Sequence, residues 1–117
     1  MVEFALVIPI FLMLLLGILQ FGIIFNNYIT LTDAARAGSR VAAVSRHEPC
    51  PKCKAEAAVM NAAGGLKKAD VKVFVDYTGL TTGEQVTVTA RYPYKINILG
   101  KVVASGDLTD EIKERVE

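Results

Sequence analysis

The chain has 117 residues, of which 52% are hydrophobic and 21% charged, and its formal net charge is +1. This length suits one small domain, and the balanced charge excludes a nucleic-acid-binding protein that relies on a strongly basic field. One His, two Cys and no Trp leave few side chains for an active site and exclude a disulfide-dense scaffold.

The first predicted element is an apolar helix in residues 4–25, which cover every helical face with large hydrophobic side chains. No charged side chain lies between Glu3 and Asp33, and about 20 such residues span a bilayer core. A buried core helix fits poorly because so small a fold can hardly surround it. A cleaved secretory signal fits poorly because no Lys or Arg precedes Arg36. The sequence therefore predicts a single membrane span.

A few residues distinguish this span from a plain anchor. Glu3 places a carboxylate at its beginning, which costs free energy unless the group stays at the interface or meets a cation. Pro9 leaves the carbonyl of Ala5 without its helical hydrogen bond. Gly17 and Gly22 make the helix locally pliable, although both also fit the ordinary composition of membrane helices.

The helix is expected to continue beyond the membrane, because residues 26–46 have an amphipathic pattern. A rod of roughly 45 residues would be about 65 Å long. Small residues at Ala34, Gly38 and Ala42 lie four apart and form a ridge that another helix can approach closely. That helix can belong to the protein's own head or to another subunit. The predicted stripe consists of Leu31, Ala34, Ala35, Gly38, Val41, Ala42 and Ser45.

A small head is predicted to follow. Pro49 and Pro51 end the long helix, and a second helix is expected from Lys52 to about Ala63, with a glycine cap at residues 64–65. Residues 71–77 and 85–92 alternate between apolar and polar side chains, which predicts an antiparallel hairpin connected by residues 78–83. After Pro93, residues 94–99 form either a bent continuation or a separate short strand.

The C-terminal segment is ambiguous from local rules. A helix capped by Asp107 would align Leu108, Ile112 and Val116, and the charge-rich residues 110–115 favour helix by propensity. Alternation across the same residues is also compatible with a strand. Together, the elements predict an α+β chain: a long hydrophobic helix over residues 1–46 and a small soluble head over residues 47–117 that contains a short helix and an antiparallel sheet.

Cys50 and Cys53 form a CxxC unit that has four interpretations. They form a local disulfide, a thioredoxin-like redox pair, part of a zinc site with His47, or two free thiols. A thioredoxin-like pair would require a βαβ pattern around the CxxC unit, which the sequence does not show. A zinc site would require a fourth ligand in addition to His47, Cys50 and Cys53. No nucleophile, phosphate loop or other catalytic constellation is recognisable, so we expect neither an enzyme nor a cofactor or metal requirement.

Topology signals in the sequence conflict. Every Lys and Arg follows the apolar span, which by the positive-inside rule would place the head in the cytoplasm. A disulfide would instead place the head in an oxidising compartment. A short basic leader before Met1 would remove the conflict, and we expect that such residues precede Met1 in the natural precursor.

The N-terminal sequence resembles the TadE-like proteins, which are pseudopilins or minor pilins of tight-adherence pili, a branch of the type IV pilus superfamily. The run VEFALVIP at residues 2–9 carries this resemblance most clearly. It continues through residues 14–18, 20–22, 27–28, 33–40 and 115–117. In the family a prepilin peptidase cuts after a glycine, and a glutamate stands fifth in the mature chain. Glu3 matches that glutamate, and Gln20 departs from the glutamate that the family often carries.

The resemblance implies a structural subunit that is held in the inner membrane by a single span, has an extracytoplasmic head, and later enters an extracellular filament. It implies other pilin subunits, prepilin peptidase and a pilus assembly platform as partners, with no nucleic acid. Glu3 would pair with the N-terminal amine of a neighbouring subunit, and the final segment would be a strand. The residues implicated in subunit assembly are Glu3, Phe4, Pro9, Gly17, Gly22, Ala34, Gly38 and Ala42.

The sequence is also compatible with two alternatives. One is a single-pass membrane protein whose extracytoplasmic head binds a ligand and which needs no carboxylate at Glu3. The other is a membrane-tethered thiol oxidoreductase that depends on Cys50. The sequence does not distinguish a principal filament subunit from a minor, priming one.

Overall fold

The structure, a computed structural model, describes residues 1–79, 81–98 and 100–117. Helices α1 (Val2–Val44) and α2 (Pro51–Ala62) are followed by strands β1 (Lys72–Tyr77), β2 (Gln85–Ile98) and β3 (Lys101–Arg115). This arrangement confirms the α+β class with a long N-terminal helix and an antiparallel sheet. Leu80, in the predicted connection 78–83, and Leu99, at the end of the predicted segment 94–99, lie outside the described residues.

Helix α1 is a continuous element of 43 residues, and it gives the molecule its length of 71 Å, against 23 Å and 19 Å in the other directions. The helix continues through Pro9 without a break. It ends at Val44, two residues before the predicted boundary, and Ser45 is its C-cap. One helix therefore connects the apolar N-terminus to the head, as the pattern of hydrophobic residues predicted.

The three strands form an antiparallel sheet in the order β1-β2-β3. Strand β2 is central: Val88 lies opposite Val75 of β1 and opposite Ile112 of β3. The apolar residues of these strands join the core that packs against α1. Phe74 and Arg91 lie on the outer face, where the guanidinium carbon of Arg91 is 5.5 Å from the ring centroid of Phe74, within the range of a cation–π contact.

The C-terminal segment is a strand, which confirms the strand that the resemblance implies, and the helix that local propensity favours at Asp107 does not form. Residues four apart lie on one face of a helix and also on one face of a strand. The spacing of Leu108 and Ile112 therefore fits both structures. Pairing along nearly the whole of β2 decides for the strand, because it satisfies the backbone hydrogen bonds and buries Val116.

Strand β2 continues through Pro93, which lies opposite Asp107 of β3. Residues 94–98 therefore continue β2 and do not form a separate strand. Strand β1 pairs with β2 no further than Arg91, so Pro93 lies where β2 has an open edge and where the missing N–H of proline is tolerated. Beyond this point β2 and β3 form a two-stranded arm, defined here as residues 93–98 and 101–107.

The hydrophobic core lies between the C-terminal half of α1, helix α2 and the inner face of the sheet. Leu31 is the most N-terminal core residue of α1, and Ala55 and Val59 are the core residues of α2. Val41, which the predicted stripe included, is only half-buried. The predicted glycine cap of α2 is wrong, because the helix ends at Ala62 with Ala63 as C-cap and neither following glycine has a positive φ.

Candidate membrane and subunit interface

Large apolar side chains on the N-terminal part of α1 are exposed from Val2 to Ile29. Phe4 is 75% exposed and Phe21 is 68% exposed. Over the part of the chain that the structure describes, α1 is the one helix long and apolar enough to cross a membrane, and no residue of its most apolar window is buried. So large an apolar surface marks contact with lipid or with other protein chains.

Glu3 lies in the first turn of this exposed segment, where the helix dipole favours a negative charge. Its side chain borders a shallow surface depression together with Phe4 and Val7. Among the described residues, no cation forms an ion pair with Glu3. The exposed carboxylate is therefore accessible to a group from another molecule.

Pro9, Gly17 and Gly22 lie in the same uncovered segment of α1. A Cβ atom added to Gly17 or Gly22 would meet nothing within 4 Å. The fold of this chain therefore does not require glycine at either position. Any close approach that these glycines serve must involve another molecule.

The ridge of Ala34, Gly38 and Ala42 lies in the other half of α1 and is buried against the head. A Cβ atom on Gly38 would overlap Cγ2 of Val59 and lie 3.3 Å from the carbonyl oxygen of Ala55. Of the two partners considered for this ridge, the structure therefore shows the protein's own α2. The ridge is thus separate from Glu3, Phe4 and the glycines of the exposed half of α1, which comprises residues 2–29.

Two hydrogen bonds attach the sheet to the C-terminal end of α1. The Tyr77 hydroxyl donates to the carbonyl oxygen of Ala42 at 3.1 Å, and the Glu117 N–H donates to the carbonyl oxygen of Ala43 at 3.1 Å. Burial raises the pKa of the Tyr77 phenol above its ordinary value, because desolvation disfavours the phenolate. The head is thus attached to the last turns of α1.

Cys50 and Cys53 form a disulfide at the beginning of α2. Cys50 is the N-cap, its sulfur accepts the N–H of Cys53 at 3.2 Å, and Pro51 begins the helix. Nε2 of the nearby His47 accepts a hydrogen bond from Nε of Arg46 at 3.0 Å. Within residues 1–79, 81–98 and 100–117, no group of three or more His, Cys, Asp or Glu side chains is arranged to hold a metal ion. The disulfide joins the N-cap of α2 to its first turn.

Sequence reasoning missed a cleft of about 410 Å³ between α1 and the base of the arm. Gln20, Ile24 and Asn27 of α1 line one side, and Lys67 and Lys95 of the head line the other. The signal available in the sequence is the spacing of Gln20 and Asn27, since polar residues seven apart in an apolar helix share one face. Residues of the head that complete the cleft cannot be inferred from this spacing.

The family model described as TadE-like protein matches residues 1–40 of the chain. These residues include the exposed apolar surface from Val2 to Ile29 and the first buried residues of α1, beginning at Leu31. No curated protein and no solved structure matches the chain. Over residues 1–40, the match confirms the resemblance to TadE-like proteins that the sequence predicts.

Proposed function

We propose that this chain is a pilin-like structural subunit of a tight-adherence type pilus and that it assembles through the exposed half of α1. One observation carries the proposal: the TadE-like residues 1–40 contain an apolar helical surface, from Val2 to Ile29, that the rest of the described chain leaves exposed. A catalytic role has no comparable support, and we propose that the chain is not an enzyme.

The exposed half of α1 serves twice in this proposal. It first holds the subunit in the inner membrane, where lipid covers the apolar side chains. It then packs against the helices of other subunits when the chain leaves the membrane for the filament, so that the same surface stays out of water. The exposed apolar segment is long enough for the first role, since about 20 residues span a bilayer core.

Glu3 sets the register between subunits in this proposal. Its carboxylate lies at the beginning of an apolar surface and lacks an ion-pair partner among the described residues. The N-terminal amine of a neighbouring subunit is a suitable partner. An unpaired charge that is buried between helices is strongly penalised, so only arrangements that pair it are stable.

The glycines of the exposed half give the helix sites of close contact and of bending. Gly17 and Gly22 have open space where a Cβ would lie, and small residues allow helices to approach closely in an apolar environment. Pro9 removes one backbone hydrogen bond from the same segment. We propose that these residues help α1 to repack when it leaves lipid for the filament.

The proposal also assigns a location and partners. The head lies outside the cytoplasm, where the disulfide between Cys50 and Cys53 is stable, and it ends on the surface of the extracellular filament. Prepilin peptidase, the pilus assembly platform and other pilin subunits are the proposed partners. We propose no nucleic acid and no cofactor.

The test of this proposal is the substitution Glu3→Gln in the pilus-forming host. The variant removes the charge and keeps the size of the side chain. Asp76→Asn, on the exposed outer face of β1, is the matched control. Glu3→Gln is expected to remain in the membrane fraction but to disappear from sheared filaments, whereas Asp76→Asn assembles like the natural chain.

Two other outcomes are informative. If Glu3→Gln enters filaments as well as Asp76→Asn does, the register mechanism is wrong. If the natural chain stays in the membrane and never accompanies filaments, the proposal fails in favour of a single-pass protein with a binding head. Electron microscopy of sheared filaments, with mass spectrometry of the filament band, also distinguishes a principal subunit from a minor one.

A further inference from the structure

The cleft between α1 and the arm lies beside the C-terminal end of the apolar span. Gln20 and Asn27 are half-buried on the side of α1 that faces the head. On the other sides of the same turns, Phe21 and Phe25 are 68% and 65% exposed. At this level α1 therefore presents aromatic and aliphatic side chains outward and amide side chains toward the cleft.

The position of the cleft relative to a bilayer follows from the length of the span. If Glu3 lies at one interface, a hydrocarbon core of about 30 Å covers about 20 residues of helix. The other boundary then falls near Ile23 and Ile24, both of which line the cleft. The cleft is thus level with the headgroups and the first methylene groups of the surrounding lipid.

The lining of the cleft matches this position. Lys67 and Lys95 carry positive charge, and Asp70 carries one negative charge, which leaves an excess of positive charge. Tyr92 and Tyr94 also line the cleft, and tyrosine is enriched at membrane interfaces. The Tyr92 hydroxyl accepts the backbone N–H of Lys67 at 3.5 Å, which holds the two sides of this wall together.

The arm provides a second, independent observation. It extends from the cleft toward the N-terminus of α1, because Glu117, just after β3, donates its N–H to Ala43, whereas Lys95 of the arm lines the same cleft as Gln20. Val102 and Val103, near its tip, are 57% and 64% exposed. An apolar tip flanked by lysines is suited to the boundary between headgroups and acyl chains, since lysine buries its stem and keeps its ammonium group at the phosphates.

We infer that the cleft binds the headgroup of an anionic phospholipid and that the tip of the arm inserts beside the acyl chains of the same leaflet. The phosphate lies between Lys67 and Lys95, with the amides of Gln20 and Asn27 as further donors. One acyl chain follows the apolar side chains of α1. The head is thus held against the membrane surface until assembly removes the subunit from the bilayer.

The absence of Trp from the natural chain makes a direct test possible. Val103→Trp places a single indole at the tip of the arm, and the full chain is reconstituted in vesicles whose acyl chains carry bromine. In phosphatidylcholine mixed with phosphatidylglycerol, the indole is expected to emit at short wavelength and to be quenched by bromine. An indole that emits as in water and is not quenched would overturn the inference.

Charge at the cleft is tested in the same reporter chain. Lys67→Gln with Lys95→Gln is expected to raise the phosphatidylglycerol concentration for half-maximal quenching about thirty-fold, since each lysine near an anionic surface contributes about 1 kcal/mol. The matched control is Lys52→Gln together with Lys113→Gln, both outside the cleft. This control is expected to leave the phosphatidylglycerol concentration for half-maximal quenching unchanged. Equal effects of the two pairs would show a general electrostatic attraction and overturn the cleft as the site.

Free phosphate and a protein partner are separate outcomes. Inorganic phosphate that abolishes the quenching at constant ionic strength would show a phosphate site and overturn the lipid as occupant. Quenching that appears only when another pilin subunit is added would assign the arm to a protein contact and overturn the inference as well.

The inference rests on the membrane anchoring that the proposed function includes, and a second reporter separates the two. The indole of Phe11→Trp, in the middle of the span, reports membrane insertion of α1 alone. Quenching of Phe11→Trp without quenching of Val103→Trp leaves the anchor intact and refutes the lipid contact of the arm. Absence of quenching at both positions refutes the anchor itself.

Discussion

The N-terminal and C-terminal halves of α1 belong to one continuous helix but carry side chains of different size. From Val2 to Ile29 the helix exposes Leu, Ile, Met, Val and Phe, whereas from Leu31 onward its buried side chains are mostly Ala, Gly and Ser. Small side chains are required where α2 of the same chain lies close to the helix axis. Large side chains occur where no other part of the described chain covers the helix.

The contacts around a glycine show whether the fold of the chain itself requires it. In the C-terminal half, Gly38 is required by contact with Val59 of the same chain. In the N-terminal half, Gly22 has open space around it. The first glycine is explained by folding, and the second is available to serve assembly. Substitutions in the two halves of α1 test this division.

Leu31→Ala is expected to destabilise the head the most. Leu31 is fully buried where the two halves meet, and removal of a buried leucine side chain costs about 2–5 kcal/mol. Leu19→Ala, at a side chain that is 56% exposed, is the matched control and is expected to change the free energy of unfolding of the head very little. Denaturant titration in detergent measures both, and equal losses would contradict the division of α1.

Gly38→Ala is expected to cost about 1–3 kcal/mol, because the new methyl group overlaps Val59 and forces the two helices apart. Gly22→Ala is the control and is expected to leave the head as stable as before. In the pilus-forming host, by contrast, Gly22→Ala is expected to impair assembly although the subunit folds well. A stable Gly38→Ala head with unchanged helix packing would refute the close contact.

Loss of the disulfide is expected to reduce the stability of the head by about 2 kcal/mol at most, since the bond closes a very short loop. The double substitution of Cys50 and Cys53 by Ser is compared with the natural chain by thermal unfolding. Membrane insertion of α1 is expected to be unchanged, because the disulfide lies beyond the end of that helix. A loss of insertion would show that the two halves of α1 are coupled through the head.

Tyr77→Phe is expected to cost about 1 kcal/mol at neutral pH, through loss of the hydrogen bond to Ala42. Because burial raises the pKa of Tyr77 in the folded state, the unfolded chain ionises first as the pH rises past about 10. The stabilisation from Tyr77 is therefore complete below that pH and falls as the pH rises through the folded-state pKa. The Phe variant should lack this alkaline loss, which denaturant titrations across the alkaline range would measure.

Much of the fold follows from residue patterns that act locally. The uninterrupted apolar run in α1 and the spacing of Leu31, Ala34 and Gly38 predict the long helix and its buried stripe. Alternation in residues 71–77 and 85–92 predicts the hairpin. The C-terminal strand does not follow from local propensity, because the spacing of Leu108 and Ile112 fits helix and strand equally, and only pairing with β2 resolves it.

Only some features of the α1 surface can be predicted from the sequence. An exposed apolar run and the glutamate at its beginning are visible in the sequence, since they depend on neighbours along the chain. The cleft is not, because Gln20 and Lys95 meet only after the sheet folds back along the helix. The partner of Gly38 likewise depends on the placement of α2, which no spacing within α1 encodes.

The most direct test of the division of α1 is site-specific photo-cross-linking in the pilus-forming host. A photoreactive residue at Phe11, 60% exposed on the apolar half, is compared with one at Lys52 on the head. The account predicts that position 11 cross-links to lipid before assembly and to other pilin subunits in sheared filaments, whereas position 52 gives neither pattern. Absence of both kinds of adduct at position 11, or the same adducts at both positions, would contradict it.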